Sequence, residues 1–449
     1  MVSLPKPPPD LDPLLEGVFS DPTIAMRALR AGKAERDYLP WDKLRFKPPP
    51  EGLDRRQWWA GIKLARMQQS RQLPLADTLG RAFTYALPDL VLESLDDISA
   101  RGRGTVSAPE LVASPVLRDR YLMNSLMEEA ITSSQLEGAV TTRRVAKDLL
   151  RTNRAPRDRS ERMIVNNFHA MQFVRDHVTE DLTPALVCEL HRIVTKGTLD
   201  HPDAAGRLQL PHEPRVGVWA AVDDVQLHEP PPAVDLPARM VRLCDFANGV
   251  VAPGWMPPLL RAIITHFMVG YDHYFEDGNG RLARALFYWV ALKDGFWLME
   301  FVAISLILKD APAQYAESYL HTEQDSGDVT YFVLYQLKVI RRAIDELYGY
   351  LARKAVEVRS ARDRVSALDL NHRQTAIVEG ALRDGGLRLT VQSHATSHDV
   401  TFATARSDLR GLQGLGLLAS SYVGRAEVWR PVRDFAETLT TVNLPLVTS

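Results

Sequence analysis

One stretch constrains this chain more than any other. Residues 273–284 read His-Tyr-Phe-Glu-Asp-Gly-Asn-Gly-Arg-Leu-Ala-Arg. A base, a carboxylate, two glycines, an amide and two guanidiniums share that short run, a density of polar chemistry that a core-packing segment does not use. Beyond it, Leu282, Ala285, Leu286, Trp289 and Val290 fall on one face of a helix, and Arg281 and Arg284 lie one turn apart on the other. The spacing therefore puts Gly278, Asn279 and Gly280 at a helix N-terminus, where unpaired N–H groups and the positive end of the helix dipole attract anions. Glycine lets backbone approach a phosphate closely. Two arginines just inside the helix can add forked, charge-assisted bonds to further phosphate oxygens. Asp277 is placed to hold a Mg²⁺ that bridges phosphates, and Asn279 to bond the same oxygens. His273, at the mouth of the loop, is the group to deprotonate an attacking hydroxyl. Phe275 is expected to turn inward and fix the loop. Together these residues make a site for phosphoryl or nucleotidyl transfer by positioning and charge stabilisation.

The rest of the composition narrows the setting. A length of 449 residues allows two or three domains. A net charge of -2 gives no global reason to expect nucleic acid or an anionic membrane. Cys188 and Cys244 are the only cysteines, which is neither a disulfide framework nor a zinc ligand set; a reducing cytoplasm fits. The N-terminus is Pro-rich and lacks the apolar stretch of a signal peptide, and no apolar run approaches the ~20 residues that span a bilayer.

In chain order, residues 1–55 read as a Pro-rich irregular segment and 56–116 as short helices. Residues 117–300 hold the dodecapeptide. There a helix at about 120–138 carries Leu122, Leu126 and Ala130 on one face, and Gly138 is its stop. Further helices follow over 144–150, over 161–177, and from Thr183-Pro184 to about 195. Val216, Val218, Val225 and Leu227 around Asp223-Asp224 give the one clear hairpin signal before the C-terminal region. Residues 301–367 read as a helical extension with a long connecting helix. Residues 368–434 make a small module of three helices and a hairpin, and 435–449 a tail.

The dodecapeptide is similar to the signature of the Fic (filamentation induced by cAMP) family, His-x-Phe-x-Asp/Glu-Gly-Asn-Gly-Arg-x-x-Arg, and matches it at every fixed position. Tyr274 stands where the family usually has proline, in a slot that is not a chemical one. The resemblance implies a mainly α fold, a Fic-type helical bundle with a β-hairpin flap, that transfers AMP from ATP to a protein hydroxyl. His273 would be the general base for a target Ser, Thr or Tyr. Asp277 would ligate Mg²⁺ on the α- and β-phosphates. Gly278, Asn279 and Gly280 would form the anion hole, and Arg281 and Arg284 would bind the β- and γ-phosphates. Tyr288 has two readings, beside the adenine or packed in the core. The hairpin resembles the family's flap, which would hold a target peptide by strand addition through Arg215, Val216, Gly217, Val218 and Trp219; an ordinary hairpin is the other reading.

Ser133-x-x-x-Glu137-Gly138 resembles the family's inhibitory motif. Its glutamate would pair with Arg284 and deny that arginine to the γ-phosphate; alone, Glu137 reads as a helix-end surface group. The module at 368–434 is similar to the winged helix-turn-helix found at the C-terminus of such proteins. Arg406 and Arg410 would face outward on its recognition helix, with Arg425 on the wing. DNA, a protein contact and a homodimer stay open as its partners. The implied function is an autoinhibited protein adenylyltransferase. The alternatives are a DNA-binding regulator whose Fic domain senses nucleotide, an enzyme that removes AMP, and a variant with another nucleotide or a phosphocholine donor.

Overall fold

The computed structural model describes residues 4–103, 115–219, 226–251, 254–368, 370–383, 387–423, 426–432, 435, 438 and 439. It is mainly helical. The helices are α1 (Leu11–Phe19), α2 (Pro22–Ala34), α3 (Trp41–Leu44), α4 (Arg55–Gln69), α5 (Asp89–Arg103), α6 (Pro115–Leu136), α7 (Arg143–Thr152), α8 (Arg159–Asp176), α9 (Pro184–Thr195), α10 (Leu236–Ala247), α11 (Pro258–Asp272), α12 (Asn279–Lys293), α13 (Ile304–Asp310), α14 (Pro312–Gln324), α15 (Thr330–Ala367), α16 (His372–Arg383), α17 (Val391–His398) and α18 (Phe402–Gly414). Antiparallel pairs of strands accompany them among the described residues: β1 (Arg71–Ala76) with β2 (Ala82–Tyr85), β3 (Val218–Trp219) with β4 (Gln226–His228), and β5 (Leu418–Val423) with β6 (Ala426–Pro431). Among the described residues no helix is long and apolar enough to cross a membrane. The chain forms two compact units, residues 1–107 with 122–344, and residues 108–121 with 345–449.

The first unit corrects the reading of residues 1–55 as irregular. Prolines do keep 5–9 and 48–50 out of regular structure, but α1 and α2 form between them. Pro22 sits in the first turn of α2, where its missing N–H costs nothing, and the Asp21 side chain accepts from the N–H groups of Thr23 and Ile24. The two helices bury Leu14, Val18, Ala25 and Ala28 against Trp59, Ala60 and Ile62 of α4. Helices α2 and α4 meet backbone to backbone, since a β-carbon at Gly61 would lie 1.9 Å from the Ala28 carbonyl oxygen. Gly61→Ala is therefore expected to cost about 1–3 kcal/mol, read as a lower urea midpoint; an unchanged midpoint would show that the helices have room to part.

Residues 56–116, expected as short helices, also contain the β1–β2 hairpin. The missed signal was an alternation of period two. Leu73 and Leu75 on β1 and Phe83 and Tyr85 on β2 are all buried, and Gly80 with φ 77° serves the turn.

The helices that frame the dodecapeptide are buried nearly all round, so their few polar side chains are enclosed with the apolar ones. Helix α11 buries Leu260, Ile263, Ile264, Phe267 and Met268, and α12 buries Leu282, Leu286, Phe287, Trp289 and Val290. They pack on each other, with α8 and α9 against α12 and α10 against α11. Loop 273–278 thus leaves one buried helix and enters another, which fixes both of its ends.

In the second unit the three helices and the hairpin follow in the expected order. Thr390 and Thr401 cap α17 and α18, and β5 pairs with β6 from Leu418 opposite Pro431 to Val423 opposite Ala426. Ile377, Val378, Leu409, Leu412, Leu418 and Trp429 form the core. The expected tail is corrected at its start, because Phe435 and Leu439 are buried in that same core. Arg425, expected on a wing, lies outside the described residues.

Candidate active site

His273 ends α11 in the left-handed region, at φ 48° and ψ 57°. That conformation costs a residue with a β-carbon about 1–2 kcal/mol, so the surroundings must hold it. Arg215 does part of this, donating from Nη2 to the carbonyls of Asp272 (2.8 Å) and His273 (3.0 Å). The half-buried imidazole turns Nδ1 toward the Gly270 carbonyl at 3.4 Å. A carbonyl only accepts, so Nδ1 carries the proton and Nε2 presents its lone pair. Burial lowers the ring to about 4, with the Gly270 carbonyl pulling the other way. At neutral pH His273 is therefore unprotonated.

Phe275 is fully buried and stacks on His191, with ring centroids 3.7 Å apart and planes 11° from parallel. The sequence reading did not single out His191. Its Nε2 donates to the Asp277 carbonyl at 2.8 Å and its Nδ1 accepts from the Gly206 N–H at 2.9 Å. A neutral ring meets both demands, and burial accordingly lowers His191 to about 4. The available signal was a polar residue between Val187, Leu190 and Val194 on the apolar face of α9.

Asn279 is used differently from the expectation. Its amide oxygen accepts from the Phe275 N–H at 3.0 Å and its amide nitrogen donates to the Phe275 carbonyl at 2.7 Å. With both ends of the amide engaged it laces the loop shut instead of reaching for phosphate. Gly278 opens α12 at φ 84°, and a β-carbon there would lie 2.7 Å from Thr195 Cγ2.

The Asp277 carboxylate is 42% exposed, with Oδ2 3.5 Å from Arg159 Nη2 and 3.7 Å from Arg281 Nη2. Among the described residues no three His, Cys, Asp or Glu side chains gather as a ligand set. One accessible carboxylate fits Mg²⁺, which keeps several waters and takes phosphate oxygens as its other ligands.

Arg281 and Arg284 are each 1% exposed, so both faces of α12 are buried. Arg281 Nη1 donates to the Val194 carbonyl at 3.1 Å, while its Nε and Nη2, and Nη1 of Arg284, are buried without a hydrogen-bond partner among the described residues. Buried donors are nearly always satisfied. Orphaned guanidinium N–H groups beside a helix N-terminus fit phosphate oxygens.

Arg284 also meets the N-terminal motif. Its Nε donates to Ser133 Oγ (2.9 Å), and its Nη2 to the Ser133 carbonyl (3.1 Å) and Glu137 Oε1 (2.9 Å). Burial opposes the charge of Arg284, but Glu137 and its other neighbours outweigh it and the guanidinium is held more firmly charged. Glu137 is 30% exposed on its side chain, and Gly138, at φ 91°, takes the chain out of α6. A β-carbon at Gly280 would lie 2.1 Å from Glu137 Oε1, so the glycine is what lets the carboxylate settle there.

Tyr288 is packed. Its hydroxyl lies 2.9 Å from both Glu129 Oε2 and the Val302 carbonyl and accepts from the Ile304 N–H at 3.0 Å, which commits its polar end to the protein and not to an adenine. Glu129, also missed, is 2% exposed and additionally accepts from the Ser305 N–H at 3.0 Å. Of the expected flap residues, Val216, Gly217 and Val218 are half-buried, and Val218 and Trp219 form β3. The hairpin turn at Asp223-Asp224, with Val225, lies outside the described residues. Arg215 is corrected: it precedes the strand, and its guanidinium is spent on the loop backbone and the Pro231 carbonyl.

Behind Arg284, His266 bonds Tyr315 through Nε2 at 2.7 Å, and burial, then Arg284, lowers it to about 3. Its folded value lies below its unfolded one, so its share of stability is present above about pH 6.5 and lost as pH falls. Between pH 7 and pH 5 that share is about 2 kcal/mol. The acid loss of stability in urea titrations should shrink by that amount in His266→Gln; an unchanged loss would mean the ring titrates freely in the fold.

The Fic/DOC family model matches residues 181–291. A protein adenylyltransferase Fic from Nematostella vectensis is 25% identical over 266 residues, covering 58% of this chain. The chain in turn spans 56% of that relative's length. A crystal structure of a Fic family protein from Desulfovibrio desulfuricans G20 superposes with a TM-score of 0.51 at 18% identity, covering 78% of this chain and 97% of the other, which is a likeness of fold. The dodecapeptide and its two buried arginines thus lie in the region that matches the Fic/DOC family model, and this chain carries a Fic domain.

Proposed function

We propose that the chain is a protein adenylyltransferase that moves AMP from ATP to a Ser, Thr or Tyr hydroxyl of a protein, and that Glu137 restrains it. The observation that carries this is the pairing of a neutral His273, its Nδ1 turned to the Gly270 carbonyl, with buried guanidinium donors at the start of α12 that have no partner among the described residues. In the transfer, the hydroxyl proton goes to His273 Nε2 and the hydroxyl oxygen bonds to the α-phosphorus. The bond to the pyrophosphate oxygen breaks, and pyrophosphate leaves. Gly278 and the N-terminus of α12 favour the charge that builds on the phosphate, and Arg281 and Arg284 favour the leaving group. Bound at Asp277, a Mg²⁺ ion would neutralise phosphate charge. His191, Phe275 and Asn279 hold the loop so that none of these groups must reorganise during the step.

The name of the Nematostella relative supports the reaction class. Intact mass spectrometry of Glu137→Gly with ATP and Mg²⁺ tests it. One added AMP per modified protein is expected, and absence of any adduct on the enzyme or on proteins of a lysate sinks the proposal. The C-terminal unit is compatible with a winged helix-turn-helix, since Arg406 and Arg410 are exposed on α18 while Ala405, Leu409 and Leu412 are buried. An attached nucleic-acid role would appear as salt-dependent DNA binding that Arg406→Ala weakens.

A further inference from the structure

The two residues on either side of His273 are joined to each other. The Tyr274 hydroxyl donates to Asp272 Oδ2 at 2.6 Å, a bond that links the residues before and after His273. Both partners are buried, Asp272 to 1% and Tyr274 to 0% exposure. The other carboxylate oxygen, Asp272 Oδ1, accepts from Arg239 Nε at 2.8 Å and Nη2 at 2.6 Å. Arg239 is itself anchored on the carbonyls of Ala76 and Asp77, at the end of β1 and the turn that follows. In that turn the Thr78 N–H donates to the Tyr271 hydroxyl at 3.1 Å. The Tyr274 carbonyl accepts from the Gln209 N–H at 3.0 Å, and Arg215 takes the carbonyls of Asp272 and His273.

We propose that Tyr274 is a positioning residue for the transfer reaction, its hydroxyl bonded to Asp272 to hold His273 in the left-handed conformation that presents Nε2. The inference rests on the adenylyltransferase reading for its effect on rate, but not for its effect on the ring. A residue at φ 48° relaxes unless it is held on both sides. Before His273 the carboxylate of Asp272 is fixed by Arg239; after it, the ring of Tyr274 is fixed by burial. The single hydroxyl bond converts these two anchors into one closed brace across the His273 backbone. The position after the histidine therefore has a chemical task in this chain, contrary to the expectation from sequence. The hairpin at 71–85, outside the matched family region, is drawn in as the brace's rear support through Arg239.

Tyr274→Phe removes the hydroxyl and keeps the ring. It is made in the native chain and in the Glu137→Gly background. In the latter, turnover of AMP transfer at saturating ATP is expected to fall roughly ten- to a hundredfold, while affinity for ATP stays the same, because the phosphate cradle on α12 is untouched. A structural defect alone would lower folded protein, turnover and affinity together. In both backgrounds the side-chain NMR signals of His273, assigned by loss in His273→Ala, are expected to shift or broaden, with those of His191 unmoved. If Glu137→Gly transfers AMP and adding Tyr274→Phe changes nothing, the brace is overturned and the activity stands. If no variant transfers AMP, the activity reading falls and the NMR signals alone decide: unmoved His273 signals overturn the brace. Arg239→Lys, which keeps the charge and loses the two-pronged grip, is the second variant should Tyr274→Phe fail to fold, and the same split between turnover and ATP affinity is expected from it.

Discussion

Glu137→Gly is expected to raise AMP transfer by roughly 5- to 150-fold, the range of a coupling worth 1–3 kcal/mol. Arg284 is fixed to Ser133 by Nε and Nη2, so removing Glu137 does not set the guanidinium loose. What changes is the charge in front of it. Glu137 Oε1 sits 2.9 Å from Nη2 and against Gly280, in the first turn of α12. A carboxylate there repels a phosphate and competes for the same donor. The carboxylate is partly exposed and the guanidinium is not, so the loss leaves a buried cation whose natural replacement partner is a phosphate. Two measurements follow: label from α-labelled ATP on protein, and the gain in thermal stability on adding ATP, which should be larger in the variant than in the native chain. Glu137→Gln, which keeps the shape and loses the charge, should fall between them. Equal, low labelling in native chain and Glu137→Gly would end the restraint hypothesis while leaving the fold of the site as described.

His273→Asn in the Glu137→Gly background is expected to lower transfer by about 10²–10⁴, the typical contribution of a placed general base. Asparagine is chosen because it tolerates the left-handed backbone better than alanine, so the loop keeps its path. ATP affinity should persist, since the cradle on α12 does not include this ring. The pH dependence supplies a second check. Burial holds His273 at about 4, so the base stays unprotonated on acidification well past the ordinary histidine range. Transfer should hold between pH 7 and about pH 5 and decline only on approaching pH 4. A break near pH 6.5 would mean that the ring is solvated in the working enzyme. Labelling undiminished in His273→Asn would remove the general-base assignment altogether.

Much of the site was legible in the sequence because its parts are contiguous. A run of twelve residues fixes its own register: glycines at a helix start, arginines one turn in, a histidine at the other end. Helices such as α9 and α18 were legible for the same local reason, through the caps Thr183 and Thr401 and apolar periodicity. Prolines misled where they were counted instead of placed. Pro22 begins a helix, as its fixed φ and absent N–H allow, and does not prevent one.

What the sequence by itself determined, then, is the chemistry on offer and the order of the elements, since spacing along a helix or loop is a one-dimensional property. Only the tertiary structure decided how each polar group is used. Asn279 has the composition of a phosphate ligand but both ends of its amide lace the loop. Arg215 looks like a flap residue but holds the backbone at His273. His191, Glu129 and Arg239 carry no motif at all, and become site residues because packing brings them within hydrogen-bond reach over separations of 33 to 176 residues. Burial is the physical reason. Once α11 and α12 are enclosed, every polar group near the loop must find a partner or face phosphate. Which of the two it does depends on neighbours that the linear sequence does not place beside it.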